Sequence, residues 1–338
     1  MRAVTFNITV PGFLVGKAFG GVTESAIFGA MSGVRFGDVP EPPLPNDDWV
    51  RLEIIKAGIC GTDIGTLTFQ TSPIMEPFGS FPAVLGHEIL ARVVEVGPAV
   101  RRVEPGQRVA VDPVVSCTMR GYPGVEQCPS CSSGWHATCG RMGDEGAQLV
   151  SGQPLRPGTT IGYHASLPGG WGERMIAHES QLFVVDDSIS DRAGALIEPI
   201  SIGMHAVLGS RPFPDAPALV VGSGPIALGT IWSLRATGFE GEILAQVKRA
   251  HEAELARALG ASQTFTRGSE PLVREIAKLT GTKPLEPWSG RPWLQAGPSV
   301  VYDTVGTPET VETSLRVLAT RGALVVSGVE APARFEWT

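Results

Sequence analysis

Positive charge is scarce in this chain: 27 Lys and Arg face 34 Asp and Glu, a formal net charge of -7 over 338 residues. A protein that neutralises a nucleic-acid backbone needs a basic face, so that class of partner is excluded. Long apolar runs are missing too. Gly12–Leu14 and Ala26–Met31 are interrupted by Lys17, Glu24 and many glycines, far short of the ~20 apolar residues of a membrane span. The N-terminus has one early basic residue and no continuous apolar segment, which is not the pattern of a signal peptide. A cytoplasmic protein with no membrane contact is expected. There are only five cysteines; in that compartment they serve metals or redox chemistry, and a disulfide framework is not expected. Glycine and proline are abundant instead, 42 and 28 residues. That excess, without the three-residue period of collagen, describes a folded, loop-rich chain long enough for two domains.

The texture of the chain changes near residue 186. Before it, short β-branched runs such as Val50–Lys56, Ala91–Val96 and Arg108–Val111 are separated by Pro/Gly clusters, so 1–185 reads as a mostly β domain with long loops. After it, a helical stretch from Asp191 to Leu208 leads into the apolar strand Ala218–Val221. Strands at Ile243–Val247, Val300–Tyr302 and Ala323–Val326 then alternate with helical patterns at Ile226–Thr237, His251–Leu259 and Val311–Leu318. The alternation predicts that 186–338 is a parallel sheet wrapped by helices. Lys283–Gln295, with Trp288, Trp293 and three prolines, cannot be a regular helix and is expected to be a surface loop.

Strand Ala218–Val221 runs into Gly222-Ser223-Gly224-Pro225-Ile226-Ala227 at the start of a helix, a G-x-G-x-x-A turn in strand-turn-helix context. Gly222 permits the turn, Gly224 lets backbone approach a pyrophosphate, and Ala227 lets the helix, whose N-terminus begins at Pro225 and Ile226, sit close to the sheet. A dinucleotide is the expected ligand. No acid stands at the tip of Ile243–Val247 to hold an NAD ribose; Glu240 and Glu242 precede the strand and Glu252 lies in the next helix. Lys248 and Arg249 offer positive charge suited to a 2′-phosphate, so NADP(H) is predicted over NAD(H).

Two sets of metal donors stand out. Cys128, Cys131 and Cys139 form C-x2-C-x7-C, and Cys117 lies upstream in the same Gly/Pro-rich loop; four soft ligands suit a closed structural zinc. His136 is the alternative to Cys117. Cys60, in Gly58-Ile59-Cys60-Gly61-Thr62-Asp63, and the dyad His87-Glu88 supply thiolate, imidazole and carboxylate from separate loops. Three such ligands with an open fourth position are the catalytic form of zinc. Glu198, in Leu196-Ile197-Glu198-Pro199, would join that site directly or through water, and Asp63 would orient the histidine from behind. Three negative groups around one Zn²⁺ would weaken its Lewis acidity, so one carboxylate is expected to stay back. Trp171, in Gly169-Gly170-Trp171-Gly172-Glu173, reads as core packing, with a place lining the substrate cleft as the alternative. His164, His178 and His205 lack ligand spacing and read as structural or surface residues.

The order Cys-Gly-Thr-Asp, Gly-His-Glu, cysteine lobe, Glu-Pro and dinucleotide turn resembles the medium-chain dehydrogenase/reductase family, in its zinc-dependent alcohol, polyol and threonine dehydrogenase branch, over about residues 45–330. The resemblance implies an α/β protein: a β-rich GroES-like catalytic domain plus a Rossmann doubly wound domain. It implies catalytic zinc at Cys60 and His87, with Glu88 alternating or water-bridged, and a proton relay at Thr62. Glu198 matches the glutamate of polyol-type members. Gly65 stands where many members carry a histidine, so the relayed proton must leave by water, the cofactor ribose or another group. The lobe cysteines of the family lie closer together than Cys117 and Cys128 do. Family members also continue after the last nucleotide-domain strand and return to the catalytic domain; this chain stops at Glu336-Trp337-Thr338, so the C-terminal return segment is expected to be missing. The implied activity is hydride transfer between NADP and a secondary alcohol, polyol or amino-alcohol, in a homodimer or homotetramer paired through the last nucleotide-domain strand. The rivals are a zinc-free NADPH-dependent reductase of activated double bonds and a truncated NADPH-binding protein without turnover.

Overall fold

The structure, a computed structural model, describes residues 1–29, 32–70, 78–266 and 272–328. The chain divides into two compact units, Met1–Glu198 and Pro199–Thr338. The division falls later than the change of texture near 186 because the following residues still pack on the first unit. Ile189, Ala195 and Ile197 cover Leu90, Ala110 and Val185, and Arg108 holds Asp191 at 2.7 Å.

The first unit opens with β1 (Arg2–Phe6), α1 (Val10–Phe19), α2 (Ser25–Phe28) and β2 (Val34–Asp38). It continues through β3 (Trp49–Ala57), α3 (Gly61–Leu67), β4 (Ala83–Val84), β5 (Ile89–Val96), β6 (Arg108–Val111), α4 (Pro129–Ser132), β7 (Gly146–Val150), β8 (Gln153–Leu155), β9 (Arg174–His178), β10 (Leu182–Val184) and α5 (Asp191–Gly194). A five-stranded antiparallel sheet, in the order β10-β6-β5-β3-β9, carries the main core, and a smaller sheet has the order β2-β1-β4. Trp49, Leu52, Ile89, Val93, Val109 and Ile176 fill that core. A second cluster of Phe6, Leu67, Phe69, Leu85 and Tyr163 packs beside α3. Helix α1 is a departure from the expected β texture. Its sequence is poor in helix formers, but Thr9 caps it by accepting the Gly12 N–H at 3.2 Å, and Phe13 packs edge-on against Phe69 at 5.8 Å. Tertiary packing overrides weak local propensity here.

Helix α6 (Ile197–Gly209) leads from the first unit into the second. There β11 (Ala218–Val221), α7 (Pro225–Ala236), β12 (Ile243–Val247), α8 (Ala250–Ala258), β13 (Gln263–Thr266), α9 (Leu272–Thr280), β14 (Val300–Asp303), α10 (Pro308–Val317) and β15 (Ala323–Val326) follow. Among the described residues all five strands are parallel, in the order β13-β12-β11-β14-β15. Both faces are covered: Ala218, Val220, Ile243 and Tyr302 face one core, and Leu219, Val221, Leu244 and Val301 face the other. Strand order reverses between β11 and β14, the switch point at which doubly wound folds bind ligands. As expected, Lys283–Gln295 is not helical; it folds back through an antiparallel bridge between Leu285 and Trp293, with the Arg316 guanidinium 4.5 Å from the Trp293 ring centre. The expected missing return segment concerns residues at and beyond Glu336-Trp337-Thr338, which lie outside the described residues. No helix among the described residues is long and apolar enough to cross a membrane.

Candidate metal centres and cofactor site

Between Cys117 and Cys139 the only regular structure is α4 and two single 3-10 turns, Gly124–Glu126 and His136–Thr138. Sulfur replaces hydrocarbon as the core of this lobe: Cys117, Cys128, Cys131 and Cys139 form a buried cluster flanked by Tyr122. Their four Sγ atoms lie within 4.8 Å of one another, and Cys117 Sγ stands 3.7 Å from Cys139 Sγ. Four sulfurs at ~2.3 Å from a tetrahedral zinc would be about 3.8 Å apart, so this donor set fits a closed zinc site. The N–H groups of Cys131 and Gly140 donate to Cys128 Sγ at 3.5 and 3.2 Å, and they hold that thiol down at about 6. The long gap after Cys117 is taken up by a turn in which the Tyr122 N–H donates to the Cys117 carbonyl at 2.9 Å. His136, the alternative ligand, is exposed and outside the cluster.

Sequence reasoning missed Arg120. Its side chain is fully buried, and its guanidinium donates to the carbonyls of Asp144 at 2.9 Å, Arg156 and Met142 at 3.3 Å, and Gly158. The charge lies close enough to Cys139 and Cys117 to interact with both, so a buried cation faces the cluster whose thiolates would carry the negative charge. Nothing in the local pattern distinguishes this arginine from a surface one; only the tertiary fold encloses it.

His164, which the sequence predicts to be structural or at the surface, lies inside the first unit. It is fully buried, and its Nδ1 accepts the Ser166 N–H at 3.2 Å. Burial, reinforced by the Arg120 charge, pushes the imidazole down to about 3. An unfolded histidine titrates near ~6.5, so between there and the folded value the unfolded chain binds the extra proton. The stability of the neutral form is complete above that window and is lost as pH falls through it. His164→Gln is therefore expected to flatten the acid limb of Tm plotted against pH between about 6.5 and 3.

The second donor set is built on two loops of the first unit. Cys60 is the N-cap of α3, and its backbone N–H donates to Asp63 Oδ2 at 2.8 Å, closing a capping box. His87 and Glu88 occupy the short link between β4 and β5. Cys60 Sγ, a His87 ring nitrogen and a Glu88 oxygen lie within 4.8 Å of one another, and Thr62 Oγ1 is 3.7 Å from Cys60 Sγ. Buried Asp63 also accepts the Tyr163 hydroxyl at 2.5 Å. This leaves His87 Nδ1 at 3.5 Å from Asp63 Oδ1, beyond hydrogen-bond length. Asp63 thus stands against the imidazole as an ion-pair partner and also holds the hydroxyl of Tyr163, a residue that sequence reasoning did not single out. A thiol, an imidazole and a carboxylate that converge in this way fit a site made for a cation.

The charges of this cluster are coupled. Burial alone would pull His87 down, but Asp63 and Cys60 together outweigh it and raise the imidazole to about 10. Burial raises the Glu88 carboxyl. It also pushes Glu198 up to about 7, with His87 opposing and Glu88, Asp112 and Asp63 adding to the rise. Glu198 sits in the first turn of α6 and outside the three-residue donor set. Of the two carboxylates weighed from sequence, Glu88 is the one placed beside Cys60 and His87.

In the second unit β11 ends at Val221, Gly224 is the N-cap of α7, and Pro225 is its first residue. Gly222 has φ +122°, and a Cβ there would sit 2.2 Å from Thr304 Oγ1, so the turn nestles against the chain leaving β14. Ala227 is fully buried, and Lys248 and Arg249 are exposed after β12. Glu252 requires a correction. Its helical position suggested that it stands away from the strand tip, yet its Oε2 accepts the N–H groups of Lys248 and Arg249, both at 2.9 Å, and bonds to the Ser223 side chain. The first turn of α8 curls this carboxylate back to its own N-cap.

Residues 46–187 match the alcohol dehydrogenase GroES-like domain and residues 225–337 the zinc-binding dehydrogenase family. The chain belongs to the medium-chain dehydrogenase/reductases, in their zinc-type alcohol and polyol branch. Among its relatives in this family is L-galactonate-5-dehydrogenase of Escherichia coli, 35% identical over 59% of this chain and 49% of the relative. The (R,R)-butanediol dehydrogenase of Saccharomyces cerevisiae is 28% identical over 87% of this chain and 73% of the relative. The chain therefore spans about half the length of the first and three quarters of the second. A zinc-binding dehydrogenase of Sinorhizobium meliloti, solved with NADP bound, superposes with a TM-score of 0.66 at 27% identity, over 90% of this chain and 76% of that one. The GroES-like and Rossmann-like units agree with the architecture of the family.

Proposed function

We propose that this family member transfers hydride between a secondary alcohol or polyol and NADP(H), with the metal chemistry in about residues 1–185 and the cofactor in 186–338. The observation that carries the reading is the convergence of Cys60, His87 and Glu88 within 4.8 Å, a donor set with room for a fourth ligand. These three residues would hold the catalytic zinc, and Cys117, Cys128, Cys131 and Cys139 a structural one. Zinc bound at Cys60 would supply Lewis acidity that makes the substrate hydroxyl easier to deprotonate. Thr62, whose hydroxyl is 3.7 Å from Cys60 Sγ, takes the substrate proton. Glu198, held up at about 7 by burial, limits negative charge at the site. Asp63 and Tyr163 fix the start of α3 and hence Cys60.

The turn formed by Gly222, Gly224, Pro225, Ile226 and Ala227 holds the pyrophosphate, and Lys248 and Arg249 face a 2′-phosphate. Support for NADP comes from those two cations and from the NADP in the Sinorhizobium relative; support for the substrate class comes from relatives named for butanediol and L-galactonate. Strand β15 at the sheet edge, with Val326 48% exposed, is the surface through which two copies would pair.

The test combines metal analysis with steady-state kinetics on secondary alcohols, polyols and amino-alcohols. About two zinc atoms per chain and NADP-dependent oxidation are expected. One zinc with cofactor binding and no turnover would indicate a binding protein, and NADH used as well as NADPH would remove the cofactor assignment. Replacing Lys248 and Arg249 together by Ala should weaken NADPH binding roughly 10–100-fold, the worth of a charge-assisted hydrogen bond, and leave NADH binding nearly unchanged.

A further inference from the structure

We infer that Trp171 is a positioning residue that sets the spacing of the two loops carrying the catalytic-zinc donors; this rests on the metal reading above. The segment before β9 runs along the chain leading to His87. The N–H groups of Gly169, Gly170 and Trp171 donate to the carbonyls of Val84, Gly86 and Leu85 at 2.9, 2.8 and 2.9 Å. From there the indole reaches across to the other loop, and its Nε1–H donates to the Gly58 carbonyl at 3.1 Å, two residues before Cys60.

Two glycines make the bridge possible. Gly86, with φ +92°, lies flat against the ring: a Cβ there would be 2.4 Å from Trp171 Cδ1 and 2.8 Å from Nε1. Gly58 uses its other backbone group on the histidine loop, donating its N–H to the Glu88 carbonyl at 2.8 Å. A Cβ on Gly58 would fall 1.8 Å from Glu88 Oε2, so only glycine lets that carboxylate come so near. One indole thus contacts the residue before His87 and bonds the residue two before Cys60, while Gly58 is tied to Glu88. Ligand distances in a metal site tolerate deviations of only about 0.2 Å, so a group that spaces two donor loops acts on affinity although it never touches the ion.

A purely structural Trp171 would behave differently. Its ring also joins the Phe6, Phe69, Leu85 and Tyr163 cluster, and that role predicts lost stability without selective loss of one metal. The four-cysteine site provides an internal control in the same unit. Trp171→Phe keeps an aromatic ring and removes the N–H donor; Gly86→Ala disturbs the same contact from the other side. Zinc-loaded wild type and both variants would be equilibrated with graded chelator, zinc per chain counted, and the Cys60 site followed by the visible spectrum of its cobalt(II) form. The expected result is a roughly 10–100-fold weaker Cys60 site with an altered cobalt spectrum, while the four-cysteine zinc is retained. Unchanged affinity in Trp171→Phe, or parallel loss of both metals, would overturn the assignment. A wild type that holds only the four-cysteine zinc would instead overturn the catalytic-zinc reading, and the inference with it.

Discussion

Cys60→Ser is expected to lower kcat/KM at least about 1,000-fold while NADPH binding, measured by fluorescence titration, stays as in the wild type. Loss of a metal Lewis acid forfeits several kcal/mol of transition-state stabilisation, and a 1,000-fold change corresponds to only about 4 kcal/mol. The selectivity follows from placement. Cys60 caps α3 in the first unit, whereas the Gly222–Ala227 turn and the Lys248-Arg249 pair belong to the second. Serine can still accept the N-cap hydrogen bond, so α3 should persist. Zinc content should fall by about one atom per chain. Turnover at the wild-type rate would eliminate the catalytic-zinc proposal, and loss of cofactor binding would show that the substitution disturbs more than its own loop.

The second large effect is expected at Cys117. Cys117→Ser removes a donor whose sulfur stands 3.7 Å from Cys139 and accepts the Cys128 N–H at 3.3 Å. The lobe has little hydrocarbon to fall back on, since its buried centre is the four cysteines themselves. Losing that metal should cost about 4 kcal/mol or more, which belongs to the few mechanisms that produce losses of this size. In a unit of 198 residues that corresponds to a fall in Tm on the order of 10 °C. Arg120 makes the loss worse, because its buried charge would then face fewer thiolates. His136→Ala serves as the comparison: exposed and outside the cluster, it should leave zinc content and Tm unchanged. A stable Cys117→Ser protein that keeps its structural zinc would mean that the lobe closes on another donor.

Much of the fold was legible along the chain. β6, β11, β12 and β15 have the same bounds as the apolar runs at Arg108–Val111, Ala218–Val221, Ile243–Val247 and Ala323–Val326. For β11, β12 and β15 the reason is that a strand of a parallel sheet between two helix layers is a near-continuous apolar run; β6, in the antiparallel sheet, is marked by its β-branched residues. Helix α1 was not legible, because two interior glycines and a proline hide a helix whose stability comes from Phe69 and its neighbours. Nor was the direction of the Glu252 side chain, which depends on the first turn of α8 closing on itself.

By itself the sequence determined which chemistries are available: thiols in C-x2-C-x7-C, a His-Glu dyad, a glycine turn between strand and helix, and two cations after the next strand. Donor type and local spacing are covalent facts, and they sufficed to name the metal class and the cofactor class as expectations. Tertiary structure alone decided which donors meet. It brought Cys117 across its long gap into the sulfur cluster, set Glu88 within 4.8 Å of Cys60 and His87, and joined Asp63 to both Tyr163 and His87. It also enclosed Arg120 and ran Trp171 between two loops far apart in the chain. The physical reason is the same in each case: positions to a few tenths of an ångström depend on packing and hydrogen bonds between segments distant in sequence, and no local pattern records them.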